Sequence, residues 1–309
     1  MNRFIRLLSC LTLCMASSCV TTDSVEEKQV HTTPTVMNSY DRRVSMSPLD
    51  HQGWVQTYRS SADQGTKLIA LLGTKQFEES IQAAKKALAK TPYEPKALKT
   101  LMFSWAMQNN YQMALYYAKL YEKKWGRTAD TSNIEGLNHL FGTAGKHKEY
   151  QKAEKAFRVS QQLQPNHIAS ALNLGYLQME LNRYDDARDT FRHLRQVNPE
   201  CIEASYAYAM AMSHSGFPDI SKQILESLLT NHPDHIPSLL HLAILELEVY
   251  NNQEKSSDHL RDVLGIENDS GFRYHKNYAE QILKSLDGVQ NSNSVTAGKY
   301  TEDPNINAR

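Results

Sequence analysis

The amino-acid sequence predicts an all-α fold in which pairs of helices stack one after another into a solenoid. Pro165, Pro199 and Pro233 recur at intervals of 34 residues, and a period of this length indicates a repeated supersecondary unit. Each interval holds two stretches with apolar residues at helical spacing, and the proline ends the second stretch because it cannot continue a helix. Neither helix could bury its apolar stripe alone, so successive pairs must share one core.

The unit from 168 to 201 resembles the tetratricopeptide repeat. The residues that carry the resemblance stand at positions 7, 8, 20, 24 and 32 of the unit and are Leu174, Gly175, Ala187, Phe191 and Pro199. The small residues at two of these positions let the paired helices approach closely. The resemblance implies a right-handed superhelical solenoid with an extended concave face.

The same frame predicts about six helix-turn-helix units and a capping helix within residues 57–287. The third unit places Leu140 in its first helix and Phe157 in its second, after an insertion at 129–133 that breaks the phase. The sixth unit slips by about one residue, so that Leu260 and Val263 take the core positions of its second helix. The predicted units are 61–94, 95–128, 134–167, 168–201, 202–235 and 236–270, and the cap is 274–286.

Residues 1–18 have the pattern of a secretory signal peptide. A basic start precedes an apolar run at 7–16, which is too short to span a bilayer because spanning needs about 20 apolar residues. The run ends in Ala16, Ser17 and Ser18 before Cys19, and this resembles a bacterial lipobox. The resemblance implies that Cys19 is lipidated and becomes the new N-terminus. An ordinary signal peptide with an incidental cysteine is the alternative.

The segments that flank the predicted solenoid lack a sustained apolar period. Residues 19–56 are rich in Ser, Thr and Asp and predict a disordered tether, whose r.m.s. span is roughly 35 Å. Residues 288–309 predict a disordered tail. In lipoproteins of Gram-negative bacteria an aspartate after the lipidated cysteine commonly retains the protein in the inner membrane. Val20 stands there instead, which implies the periplasmic face of the outer membrane.

The composition and the motifs argue against several classes of function. Lysine plus arginine equals aspartate plus glutamate at 34 each, which leaves no net field to attract nucleic acid or an anionic membrane surface without a strongly uneven charge layout. His232, His235 and His241 are the closest histidine cluster, but the chain has no His-Glu-x-x-His or Cys-x-x-Cys motif. The position of Cys201 at a repeat junction is more typical of a small buried residue than of a nucleophile. We therefore expect no enzyme, metal, cofactor or small-molecule substrate.

The tetratricopeptide resemblance also implies that certain positions of each first helix line the concave groove. In the last three units these positions are strongly apolar, which predicts a docking site for an apolar helix or strand. The alternative is that these side chains pack against one another or against the capping helix. The predicted groove residues are Leu172, Tyr176, Met179, Tyr206, Met210, Leu240, Ile244 and Leu247. A carboxylate clamp for chaperone tails is not expected, because Lys96, Lys99 and Asn138 do not form its set in adjoining repeats.

A lipid-anchored chain of about six tetratricopeptide units resembles the pilotin and assembly lipoproteins of type IV and tight-adherence pili. This resemblance implies a non-enzymatic scaffold that holds an envelope protein, such as a secretin or another pilus component, in its groove. A scaffold for β-barrel assembly or for peptidoglycan-enzyme complexes is the alternative, and the sequence leaves both open.

Overall fold

The computed structural model describes residues 56–57, 59–142, 149–267 and 272–297, without the side chains of Tyr274 and residues 287–297. Thirteen α-helices run from Gln64 to Ala297 in this part of the chain, as six consecutive pairs and a final single helix. They are α1 (Gln64–Gly73), α2 (Phe77–Lys90), α3 (Pro95–Met107), α4 (Tyr111–Trp125), α5 (Ala129–Phe141), α6 (Tyr150–Leu163), α7 (Ile168–Glu180), α8 (Tyr184–Val197), α9 (Ile202–His214), α10 (Pro218–Asn231), α11 (Ile236–Glu248), α12 (Gln253–Gly265) and α13 (Arg273–Ala297). The prediction of an all-α fold built from helix pairs is confirmed.

The described residues form two compact units that divide within α9, between Ala211 and Met212. The N-terminal unit contains α1 to α8 and most of α9, and its main core joins residues from α3 to α9. A smaller cluster joins α1, α2 and α3. The C-terminal unit has its own core, contributed mainly by α11, α12 and α13, in which Leu260 and Val263 are fully buried. Leu260 and Val263 of α12 thus contribute to this core.

The turn between the two helices of a pair contains one residue with positive φ in every pair whose turn is described. These residues are Lys75, Asn109, Asn182, Gly216 and Asn251. In the fourth pair the N–H of Arg183 donates to the carbonyl of Gln178 (2.8 Å) and that of Asn182 to the carbonyl of Met179 (2.9 Å). These two hydrogen bonds end the first helix and reverse the chain. The turn requires a residue with positive φ, and asparagine and glycine adopt that conformation most readily.

The prolines that revealed the repeat lie between pairs. Pro165, Pro199 and Pro233 each follow the end of a second helix and precede the next first helix. None of them interrupts a described helix, as the sequence predicted.

The third pair differs from its predicted boundaries. α5 begins at Ala129, because Thr128 accepts a hydrogen bond from the Thr131 N–H and the Thr131 hydroxyl accepts one from the Thr128 N–H. Residues 129–133, predicted as an insertion, are thus the start of a helix. The additional residues lie instead between α5 and α6, at 142–149.

The final helix differs too, since α13 continues to Ala297 whereas the prediction ended the cap at 286 and began a disordered tail at 288. Residues 298–309, the predicted signal peptide, Cys19 and the predicted tether up to residue 55 lie outside the described residues. Among the helices that are described, none has the length and apolar character needed to cross a bilayer.

Candidate protein-binding surface

The predicted groove residues on α7 are part of the core. Leu172, Tyr176 and Met179 are at most 1% exposed, and the Tyr176 ring packs edge-on against Phe191 with the ring centroids 5.3 Å apart. A side chain without exposed surface cannot contact a partner. The prediction that these three residues line an open groove is therefore wrong.

The burial of α7 follows from its position in the N-terminal unit. Every residue from Ala169 to Met179 is buried, because α7 packs against α6, α8 and α5. The buried Asn173 side chain donates a 2.8 Å hydrogen bond to Asn133 of α5. The sequence carried this signal, since α7 has no sustained polar face, and a helix that is apolar all round is normally interior.

The predicted groove residues on α9 keep part of their surface. Tyr206 and Met210 are half-buried, and Met210 packs at the margin of the main core. These two side chains are the part of the predicted groove that remains accessible in the N-terminal unit.

In the C-terminal unit the predicted groove residues share a cluster with the final helix. Leu240 is buried, so the prediction of an exposed position is wrong for it, whereas Ile244 and Leu247 are half-buried. α13 packs against α11 and α12, and Tyr278 and Ile282 of α13 belong to this cluster. The alternative interpretation, packing against the capping helix, thus describes this unit better.

The structure adds a feature that the sequence analysis missed. Four large apolar residues of the N-terminal unit are exposed at or just beyond the ends of the second helices: Tyr93 (38%), Trp125 (50%), Leu163 (49%) and Val197 (45%). We call them the edge row. The signal was available, because Trp125, Leu163 and Val197 fall outside the core stripe of their amphipathic second helices and Tyr93 lies beyond the end of α2.

The lysines considered for a carboxylate clamp are held in ion pairs. Lys96 Nζ lies 2.5 Å from Asp63 Oδ2, and Lys99 Nζ lies 3.0 Å from Asp130 Oδ2. His167 Nε2 lies 3.1 Å from Asp130 Oδ1, while His167 Nδ1 accepts from the Ser170 N–H at the start of α7. Hydrogen bonding thus assigns the proton to Nε2. Burial raises the pKa of Asp130, but the His167 hydrogen bond and the Lys99 charge outweigh it and hold this pKa below its ordinary value.

Within the described part of the chain no three His, Cys, Asp or Glu side chains are placed to hold a metal ion. His235 Nδ1 lies 2.7 Å from the Ser238 hydroxyl. Burial lowers the pKa of His214 to about 4, and burial together with His214 lowers that of His241 to about 3. Cys201 is half-buried with its Sγ 3.6 Å from Glu203 Oε2.

The family model and one solved structure with a TM-score above 0.5 support the fold. Residues 146–212 match the family model described as the tetratricopeptide repeat. A tetratricopeptide repeat protein from Parabacteroides merdae ATCC 43184 is 17% identical and has a TM-score of 0.52, covering 80% of this chain and 95% of that one. MamA from Desulfovibrio magneticus RS-1 is 16% identical with a TM-score of 0.46, covering 57% of this chain and 96% of that one. No curated protein matches the sequence. The fold is an all-α solenoid of the tetratricopeptide type.

Proposed function

We propose that this protein is a non-enzymatic scaffold that binds an envelope protein while a lipid on Cys19 anchors it to the periplasmic face of the outer membrane. The observation that carries the binding role is the accessible pair Tyr206 and Met210 on a first helix of a tetratricopeptide-type solenoid. Solenoids of this kind bind partners along the surfaces that their stacked repeats create. Methionine adapts to irregular partners, and tyrosine adds apolar area with one polar atom.

The binding experiment replaces accessible residues only. Tyr206→Glu with Met210→Glu puts two carboxylates on α9, and we expect capture of the partner from solubilised envelopes to fall at least ten-fold, because an apolar contact becomes charged. Tyr176→Glu is unsuitable, since it would place a carboxylate inside the core and unfold the unit. Helical circular dichroism checks that the double variant remains folded.

A matched control distinguishes the surface from the charge. Gln151→Glu with Gln162→Glu adds the same charge at two exposed positions of α6. Capture by this control should equal that of the unaltered chain. Unchanged capture by the Tyr206 and Met210 variant would remove α9 from the binding site.

The anchor is tested separately. Cys19→Ala should move the chain from the membrane fraction to the soluble periplasmic fraction, and mass spectrometry of the unaltered mature protein should show acylation on residue 19. A chain that stays in the membrane fraction without an acyl group would contradict the proposed anchor.

The proposed client is a secretin or another component of pilus assembly, from the resemblance to pilus assembly lipoproteins. Crosslinking in intact envelopes, followed by mass spectrometry of the adducts, should recover such a protein. Recovery of β-barrel assembly factors or peptidoglycan enzymes instead would reassign the client and keep the scaffold.

A further inference from the structure

Exposed lysines lie within three residues in sequence of the aromatic residues of the edge row. Lys90 is the last residue of α2, three residues before Tyr93, and Lys123 and Lys124 precede Trp125 at the end of α4. All three lysines are exposed, and the described residues offer no ion-pair partner to any of them. The Trp125 indole donates a 3.0 Å hydrogen bond to the Tyr93 carbonyl, which brings the two groups together. We call these five residues the basic–aromatic patch.

The patch is positive although the whole chain is neutral. The acidic residues of α2, Glu78 and Glu79, lie in its first turn, at the opposite end from Lys90. Glu122, the acidic neighbour in α4, already accepts a 2.8 Å hydrogen bond from Thr131 of α5 and pairs with Lys119 at 2.9 Å. Glu94, which follows Tyr93, caps α3 by accepting a hydrogen bond from the Ala97 N–H. These acidic side chains therefore form no ion pair with the lysines of the patch among the described residues.

The patch lies on one edge of the N-terminal unit, where second helices end and first helices begin. Ser160 of α6 donates to the carbonyl of Ala129 at the start of α5 (2.8 Å), so the end of α6 lies on the same edge as the start of α5. Leu163 and Val197 continue the row of exposed apolar residues beyond Trp125. A row with one apolar residue per helix pair fits an extended, flat surface better than a compact ligand.

The chemistry of the patch matches a layer of anionic lipid headgroups. Lysine side chains place their charge near phosphates while their stems lie along apolar surface, and tryptophan and tyrosine rings prefer the membrane interface. The position matches as well, since the predicted tether enters the solenoid at α1, which packs against α2. A tether with an r.m.s. span of roughly 35 Å would keep this end of the solenoid close to the lipid.

We propose that the basic–aromatic patch docks the N-terminal unit on an anionic membrane surface. The solenoid then lies with this edge against the bilayer, and the accessible face of α9 takes a fixed orientation toward its client. The docking rests on the proposed function for the anchor that delivers the patch to the membrane, whereas the affinity of the patch for lipid does not depend on the anchor.

The test uses the full chain carrying Cys19→Ser, so that no acyl group contributes to binding. Flotation with vesicles of phosphatidylcholine alone, and of phosphatidylcholine with phosphatidylglycerol, measures the partition coefficient. We expect a preference for the anionic vesicles. Lys123→Gln with Lys124→Gln should lower the coefficient on the order of 25-fold, because each lysine near such a surface contributes about a five-fold factor. Trp125→Ala should lower it further.

The control is Lys152→Gln with Lys155→Gln, which removes the same charge from exposed positions near the start of α6. It should leave the partition coefficient unchanged. An equal loss in this control, or a patch variant that binds as well as the parent chain, would overturn the proposal. Loss of client capture by the patch variant with intact vesicle binding would assign the patch to a protein interface and also overturn it. Failure of the Tyr206 and Met210 variant to affect capture would contradict only the proposed function.

Discussion

The third and fourth helix pairs share one contact and differ in one connection. A Cβ atom at Gly136 of α5 would overlap the ring of Phe157, and one at Gly175 of α7 would overlap the ring of Phe191. The connection within the third pair covers residues 142–149, whereas that within the fourth covers only 181–183. The glycine–phenylalanine contact, rather than spacing along the chain, therefore defines the register of a pair.

Replacing either glycine with a larger residue tests most strongly whether the two pairs share the same contact. Gly136→Val and Gly175→Val should each lower the free energy of unfolding by about 3 kcal/mol, because the added atoms force a packed ring aside. Urea unfolding followed by circular dichroism measures both variants. Gly265→Ala is the control, since nothing lies within 4 Å of its Cβ position, and it should change little. Tolerance at Gly136 alone would show that α5 is not in the register described.

A second test concerns the buried side chains of Asn133 and Asn173, whose hydrogen bond joins the first helices of these two pairs. Asn133→Ala removes the acceptor of the Asn173 side chain and should lower the free energy of unfolding by about 2 kcal/mol. Thermal and urea unfolding check the value. The exposed substitution Asn166→Ala, in the turn before α7, should cost less than a quarter of this amount.

A third test concerns the polar junction between the pairs. Asp130→Asn should cost about 1.5 kcal/mol near neutral pH, because it removes a charge that accepts hydrogen bonds from Lys99 and His167. The pKa of Asp130 is lowered by folding, so its contribution is complete above the ordinary carboxyl pKa and is lost as the pH falls below that value and through the lowered pKa of the folded state. The parent and the variant should therefore converge in stability in acid. A constant difference across this range would contradict the assignment.

The smallest effect is expected at the short turn of the fourth pair. Asn182 has φ of 59°, so Asn182→Ala should cost about 1 kcal/mol, whereas Asn182→Gly should be close to neutral. Equal free energies of unfolding for the alanine and glycine variants would mean that the positive φ at position 182 does not strain the alanine backbone.

The helix pairs could be predicted from the sequence because their constraints are local. Proline ends each second helix, and the small Gly175 leaves room for the Phe191 ring. The register of α5 was lost because it was counted backward from Phe157 and Pro165, across a connection of unusual length. Gly136 and the Thr128 capping box would have restored it, since both signals are local to α5.

The candidate surface was harder to predict. Large apolar residues such as Leu172 and Tyr176 are typical of a docking surface and equally of a buried helix. Which of the two applies depends on the helices that pack around α7. Each member of the edge row could be found from its own helix, but the members are far apart in sequence, so that they share one edge follows only from the stacking of the helix pairs. Exposure is a property of the packed molecule, whereas periodicity is a property of the chain.

The most direct test of the central claim places a photoreactive amino acid at position 210 and irradiates intact envelopes. We expect one defined adduct from position 210, with the same client that the unaltered protein captures, and no such adduct from position 151 on α6. Absence of the adduct at 210, or its equal yield from 151, would contradict a binding site on α9.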